Sequence, residues 1–352
     1  MTKMNTNKQV EKKDKKQIVP VFFAADENYM PFLGVTLASL KENASGKYAY
    51  NVHVLYAGEL CENAKAVKQM ATEDFSISFH CLSDKIEAIT HLIHCRDYYT
   101  SAIYFRLFIP ELFPRYDKAI YLDCDTVALT DIGELYAADI KDNLIGAVVD
   151  QAVAAVGPFR EYTKNALGID AEKYFNSGVI VMNLKKMREL NFYGTFCEIL
   201  RSYEFIVAPD QDCLNLICQD KVHFFESGWN KMPIAGKNRD KIHLIHYNLS
   251  MKPWHYSGVL YEEYFWKYAS QTPFLAIIQA KKAAFTPEMA KRDEEGGERL
   301  IALAQAEADS PCNYLKSVGS KRKMDEKKKE NEGGMYGFIE NFTQSAGSIK
   351  AD

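Results

Sequence analysis

No stretch of this 352-residue chain is apolar over the roughly 20 residues that a bilayer-crossing helix needs. Residues 1–17 are lysine-rich and polar, with no apolar core, so a signal peptide is not expected and the segment reads as a disordered basic leader. No Cys-x-x-Cys pair occurs. The eight cysteines are scattered, and the nearest two in sequence, Cys213 and Cys218, are still too far apart for one. The expectation is reduced thiols in a cytoplasmic protein, many of them filling the core. Positive charge is not in excess either. The formal net charge is −4, which gives no indication of a nucleic-acid partner. No internal repeat is visible.

What is present suits a large soluble core, as one big domain or two smaller ones. Residues 18–24 form a continuous apolar run, as expected of a strand buried on both faces. Residues 31–40 carry Phe32, Val35, Leu37 and Leu40 at helical spacing. Strand-like (51–56), helical (61–70) and strand-like (75–81) segments follow. This alternation predicts a doubly wound α/β sheet, whose ligands bind beyond the carboxyl ends of the strands. Further on, 144–149, 178–183 and 241–246 read as strands. Segments 184–203 and 211–219 read as helices, and 259–284 as a helix pair interrupted at Pro273. After about residue 285 charged residues, Ala and Gly dominate, with a basic run over 321–329. The expected organisation is a leader at 1–17, one catalytic domain at 18–284 and a charged, partly disordered tail at 285–352. The tail reads as an appendage. Its basic residues, with Tyr336, Phe338 and Ile339, also suit peripheral membrane contact on the cytoplasmic face.

The most informative segment is Tyr121-Leu122-Asp123-Cys124-Asp125-Thr126, in which two carboxylates follow an apolar run. In extended backbone residues i and i+2 point the same way, so both carboxylates can address one point. A hard divalent cation shared with a diphosphate is the natural occupant. Five other segments accompany it: Ala24-Ala25-Asp26-Glu27-Asn28 after the first strand, Tyr104-Phe105-Arg106-Leu107 on a predicted helix, Phe175-Asn176-Ser177-Gly178, Pro209-Asp210-Gln211-Asp212, and His246-Tyr247 followed by Lys252-Pro253-Trp254.

This set, in this order, resembles the family-8 glycosyltransferases, which include bacterial lipooligosaccharide galactosyl- and glucosyltransferases and the glycogenins. The resemblance covers roughly residues 18–256. It implies an α/β nucleotide-diphospho-sugar transferase fold of the glycosyltransferase-A type, a Rossmann-like mixed sheet flanked by helices. It also implies a retaining transfer of galactose or glucose from UDP-galactose or UDP-glucose to a glycan or glycolipid acceptor. By the resemblance, Ala24, Asp26 and Asn28 hold uracil and ribose, Arg106 contacts the donor, and Asp123, Cys124 and Asp125 lie against the nucleotide. Asp123, Asp125 and His246 bind Mn2+ or Mg2+. Lys252 neutralises the departing diphosphate, Asp150, Asn176 and Asp210 hold sugar hydroxyls, and Gln211 sits beneath the anomeric carbon. A front-face mechanism follows from so weak a nucleophile as Gln211, with Asp212 as the alternative for double displacement. His243 and the pair His91 and His94 are expected to be structural. In the family the third residue after the metal histidine is a glycine. Here it is Leu249, whose Cβ would obstruct the phosphates unless the loop is re-routed. Two other readings remain at this stage: a transferase-like nucleotide-sugar binding protein with impaired catalysis, and a phosphotransferase of the haloacid dehalogenase type. The latter wants a second Asp two residues after Asp26, where Asn28 stands.

Overall fold

A computed structural model of the chain describes residues 16–93, 101–235 and 240–319. The leader up to residue 15, His94, the basic run 321–329 and Tyr336, Phe338 and Ile339 lie outside the described residues.

The strands are β1 (Gln17–Ala24), β2 (Tyr48–Tyr56), β3 (Phe75–Cys81), β4 (Ala119–Leu122), β5 (Thr126–Ala128), β6 (Ile145–Val149), β7 (Phe175–Met182), β8 (Val222–Phe224) and β9 (Leu244–His246). Seven of them form one sheet in the order β3-β2-β1-β4-β7-β6-β8. β7 runs antiparallel to both β4 and β6, so the sheet is mixed. The alternation along β1 explains its unbroken apolar run. Val19, Val21 and Phe23 face a layer that contains the helix Met30–Glu42, whereas Phe22 faces a second layer with Tyr104, Phe105 and Phe108. A strand covered on both sides has no polar face to show.

The chain moves outward from β1 to β2 and β3, then returns to place β4 on the other side of β1. Strand order therefore reverses between β1 and β4, which run parallel with Phe22 opposite Tyr121. Their carboxyl ends open side by side, and a reversal of this kind leaves a crevice there. β5 and β9 form a separate antiparallel ribbon in which Thr126 pairs with His246. That register brings the histidine to the two aspartates.

Three local expectations change. Residues 184–203 form two helices, Leu184–Glu189 and Phe192–Ser202, broken at Asn191 in a left-handed conformation (φ 49°). Asn tolerates that conformation better than most residues. Arg106 sits on a 3-10 helix, Ser101–Phe108. The strand expected at 241–246 shortens to Leu244–His246.

The segment after residue 285 begins as packed structure. Thr286 caps a 23-residue helix, Pro287–Asp309, by accepting from Met289 N at 3.3 Å. The helix lies against Gly157–Tyr162 and the turn Thr163–Leu167, burying Gly296, Ala304 and Ala308. Ala304 and Ala308 put small side chains on the docking face, whereas a Cβ on Gly296 would meet only the Arg299 side chain of the same helix, at 3.6 Å. Beyond it, Tyr314 and Asn313 are buried, and Asn313 Nδ2 donates to Asn165 O at 3.1 Å. Among the described residues, no helix is long and apolar enough to cross a membrane.

Candidate active site

The site is built at the carboxyl end of β4. Asp123 N donates to Gly178 O at 2.7 Å, and Tyr247 N donates to Asp125 O at 2.9 Å, so the turn is tied to β7 on one side and to the β9 end on the other. The Thr36 hydroxyl, on the helix Met30–Glu42, bridges the carbonyls of Cys124 and Thr126. The intervening Cys124 is buried, its thiol donating to Ala24 O at 3.2 Å. The flanking carboxylates converge as expected, but through the turn between β4 and β5 and not through the two-residue alternation of an extended strand. Asp123, Asp125 and His246 offer ligand atoms that all lie within 4.8 Å of one another. Gly178 is essential to this cradle. A Cβ there would meet His246 Cε1 at 2.3 Å and Asp123 Oδ2 at 2.6 Å.

Each ligand candidate is held by a second residue. Arg106, 4% exposed, donates from Nη2 to Asp123 Oδ1 at 2.9 Å and from Nη1 to Ser177 O at 2.6 Å. Its Nε lies 3.3 Å from Asp210 Oδ2. Burial works against its charge, but Asp123, Tyr121 and Asp210 outweigh that and hold its pKa above the ordinary value. Tyr121 OH adds a bond to Asp123 Oδ1 at 2.9 Å, which leaves Oδ2 for the cluster. Asp125 Oδ2 pairs with Lys252, whose ammonium also donates to Tyr247 O. Burial raises the Asp125 pKa, but Lys252 and His246 reverse this and keep it below the usual carboxylate range. Among the described residues Asp125 Oδ1 is buried without a hydrogen-bond partner, 3.2 Å from His246 Nε2. His246 Nδ1 lies 2.9 Å from Asn230 Oδ1. A neutral imidazole that donates from Nδ1 presents a lone pair at Nε2, so an orphaned carboxylate oxygen and a nitrogen lone pair face one point. Two oxygens and one imidazole suit a divalent ion with open positions for phosphate oxygens. The residues present fit the metal.

The opposite wall is polar and tightly bonded. Asp150 caps the helix Gln151–Ala155, and its Oδ2 accepts from Asn176 Nδ2 at 3.0 Å and Gln211 Nε2 at 3.1 Å. Gln211 Oε1 accepts from Ser177 N at 2.9 Å. Asp210 is pushed up to about 6 by burial, against the pull of Arg106. Asp212 does not face the cleft. It is fully buried, accepts from Tyr162 OH at 2.8 Å and Tyr174 OH at 2.7 Å, and is raised to about 7 because burial outweighs those bonds. The carboxylate that sequence left open as a nucleophile is thus enclosed by two tyrosines.

A stability consequence follows for Asp212. Its folded-state pKa lies above the unfolded value, so folding favours the protonated form. Stability from this group is full below the unfolded pKa near 4 and is lost as pH rises towards 7. Asp212→Asn lacks that titration. The difference in Tm, variant minus wild type, is expected to increase between about pH 4 and pH 7. A difference that stays flat with pH would contradict the buried-acid assignment.

The structure gathers nearly all the sequence-derived candidates in one cleft, lined by Ala24, Asp26, Arg106, Asp123, Cys124, Asp125, Asp150, Asn176, Asp210, Gln211, His246 and Lys252. Asn28 is left out: it is exposed on the turn after Asp26, and the neighbouring Tyr29 lines the cleft in its place. Asp26 accepts from Tyr29 N at 3.1 Å, which fixes that turn. His243 stacks on Trp229 and meets Glu226 at 2.8 Å, away from the aspartates, as expected. Leu249 lines the cleft in a left-handed conformation (φ 57°). Its backbone keeps the shape a glycine adopts without strain, at a cost of about 1–2 kcal/mol for a residue with a Cβ. Sequence reasoning also missed Val153, Phe159, Val207 and Leu300, which give the cleft an apolar wall beyond Asp150. Leu300 comes from the helix Pro287–Asp309.

Over residues 20–258 the chain matches the family described as glycosyl transferase family 8. It is 28% identical over 293 residues to the lipopolysaccharide 1,2-glucosyltransferase of Escherichia coli K12, spanning 74% of this chain and 83% of that one. Among solved structures it is similar to the galactosyltransferase LgtC in complex with donor and acceptor sugar analogs (TM-score 0.61, 26% identity, 72% of this chain and 96% of that one). It is also similar to the bifunctional glycosyltransferase WbbM (TM-score 0.65, 27% identity, 77% of this chain). The chain covers 53% of WbbM, about half of that protein. These neighbours share the glycosyltransferase-A type fold.

Proposed function

Because the chain belongs to glycosyl transferase family 8, we propose that it is a metal-dependent, retaining hexosyltransferase. It moves galactose or glucose from a UDP-sugar to a surface glycan or glycolipid. The observation that carries this reading is the convergence of Asp123, Asp125 and His246 within 4.8 Å, beside Lys252 and opposite the wall of Asp150, Asn176 and Gln211. The family match supports this reading over the phosphotransferase alternative.

In this reading Asp26, Ala24 and Tyr29 receive the nucleoside, since they line the cleft where β1 ends. When bound, the divalent ion neutralises charge on the diphosphate. Lys252 is a buried point charge within reach of the same place and moves from Asp125 towards the leaving group as its charge grows. Asp150 and Asn176 orient the hexose hydroxyls. The bond between the anomeric carbon and the phosphate oxygen breaks, the bond to the acceptor oxygen forms on the same face, and the acceptor proton passes to the departing diphosphate. Gln211 stabilises positive charge at the anomeric carbon through its amide oxygen. Asp212, enclosed by Tyr162 and Tyr174, does not reach the sugar as a nucleophile.

The test is release of UDP from a panel of UDP-sugars with and without Mn2+. Release confined to hexose donors and dependent on the ion is expected; no release with any UDP-sugar and any divalent ion would overturn the proposal. The first-formed product is expected to keep the α configuration of the donor, read by NMR. Gln211→Ala is expected to slow turnover while leaving measurable activity, because Lys252 still faces the departing diphosphate. A β-linked product would end the retaining assignment.

A further inference from the structure

The side-chain amides behind His246 form a network whose polarity is not free. Asn and Gln amides are ordinarily ambiguous, because their oxygen and nitrogen differ little in shape. Here backbone N–H groups, which can only donate, settle the matter. Gly178 N points at Asn176 Oδ1 at 3.0 Å, so that atom is the carbonyl oxygen and Asn176 Nδ2 is the donor to Asp150. Ser177 N fixes Gln211 Oε1 in the same way. Asn230 reaches Asn176 Oδ1 at 2.9 Å, and an acceptor there requires Asn230 to present its NH2. Asn230 Oδ1 must then be the atom facing His246 Nδ1 at 2.9 Å, so His246 donates from Nδ1 and its Nε2 carries the lone pair that faces Asp123 and Asp125.

The frame is rigid. Asn230 is 1% exposed and His246 2%. The next residue, Lys231, is bonded to the β9 strand through both backbone groups, with Lys231 N to Leu244 O at 2.8 Å and His246 N to Lys231 O at 2.9 Å. Gln151 Nε2 donates to Asn230 O at 2.8 Å, so the residue is also tied to the helix that Asp150 caps.

We propose that Asn230 is the positioning residue of the metal site: its carboxamide sets the tautomer and ring orientation of His246 and joins that ligand, through Asn176, to the sugar-facing pair Asp150 and Gln211. This rests on the reading of Asp123, Asp125 and His246 as a divalent-ion site. Partners of this kind behind a ligating histidine typically matter 10–100-fold in metal affinity.

The test uses Mn2+ alone, titrated into the full chain and followed by the EPR signal of the free ion. Asn230→Leu removes the acceptor and is expected to weaken Mn2+ binding by about 10–100-fold with the fold retained by circular dichroism. Asn230→Asp keeps an acceptor for Nδ1–H and is expected to bind Mn2+ close to wild type, although it can no longer donate to Asn176. A merely structural residue would not show this rescue by the acidic variant. A folded Asn230→Leu with wild-type affinity would overturn the proposal. Should that variant fail to fold, 15N spectra of the wild-type protein without metal, at alkaline pH, decide the matter: His246 protonated on Nδ1 supports the assignment, and protonation on Nε2 refutes it. A wild-type protein that binds no Mn2+ removes the metal reading itself and the inference with it. Wild-type binding that is unchanged in folded Asn230→Leu removes the inference alone.

Discussion

Asp123→Ala and Asp125→Ala are expected to lose Mn2+-dependent UDP release by at least about 10²-fold, the scale seen when one preorganised electrostatic contact is deleted at a reacting centre. Their effects on stability should differ, because the two carboxylates are held differently. Asp123 is half-buried, with Arg106 and Tyr121 on one oxygen. In Asp123→Ala the Arg106 guanidinium keeps Asp210 and Ser177 O as partners. Asp125 is buried and is the carboxylate partner of Lys252, which is itself buried. Its removal leaves an ammonium facing Tyr247 O and the Trp254 ring with no carboxylate among the described residues paired to it, and breaking a buried pair from one side costs about 3–5 kcal/mol. Asp125→Ala is therefore expected to fold with a clearly lower Tm, and Asp123→Ala with a Tm near wild type. UDP release and thermal denaturation on the same preparations separate the two effects. Wild-type turnover with Mn2+ in either variant would sink the metal assignment.

Truncation after Ala284 is expected to abolish most UDP release and to destabilise the fold. From sequence the region beyond about residue 285 reads as an appendage, dispensable for reaction in solution. In the structure its opening helix both covers the core and lines the cleft. The helix Pro287–Asp309 covers Tyr162, Ala166 and Leu167 with Ala304 and its neighbours, and Leu300 enters the cleft wall with Val153 and Phe159. Uncovering several side chains of that size costs on the order of 5 kcal/mol, at about 1.5–3 kcal/mol for each large apolar group. The helix also backs Tyr162, one of the two hydroxyls that enclose Asp212. Truncation after residue 319 is expected to leave soluble UDP release near wild type. Equal activity and equal Tm for the two truncations would show that the helix does no more than cover the surface.

Much of the site was legible in the sequence because its residues stand at or beside the ends of strands and helices. Asp123 and Asp125 were readable as a pair because they directly follow the buried apolar run of β4, although the structure places them in the turn between β4 and β5 and not on extended strand, and Asp26 because the end of a buried apolar run marks the ligand edge of an α/β sheet. His246 was identified from its family context, and its pairing across β5 accounts for how it comes close. Asn230 was not legible. It ends a 3-10 turn, Ser227–Asn230, where no period relates one residue to the next. Its role arises from contacts with residues distant in the chain. Leu300 was missed for another reason. A helix whose fully buried residues are Gly296, Ala304 and Ala308 has side chains there too small to register as an apolar face. Asp212 stood beside Gln211 in sequence, but successive helical residues point about 100° apart, which sends one to the cleft and the other to the tyrosines.

The β5–β9 ribbon has a topological consequence. It joins the chain just after Asp125 to the chain at His246, so everything between them forms a closed loop. Asp150, Asn176, Gln211 and Asn230 all belong to that loop. Closing so long a segment carries an entropic cost that grows only slowly with length, and the three residue pairs of the ribbon share that task with the pairing of β4 to β7. An ion shared by Asp123, Asp125 and His246 would act as a clasp at the same junction, much as a disulfide would. Gain or loss of the ion would then be felt by the whole sugar-facing wall through chain connectivity, independently of the charge it brings to the diphosphate.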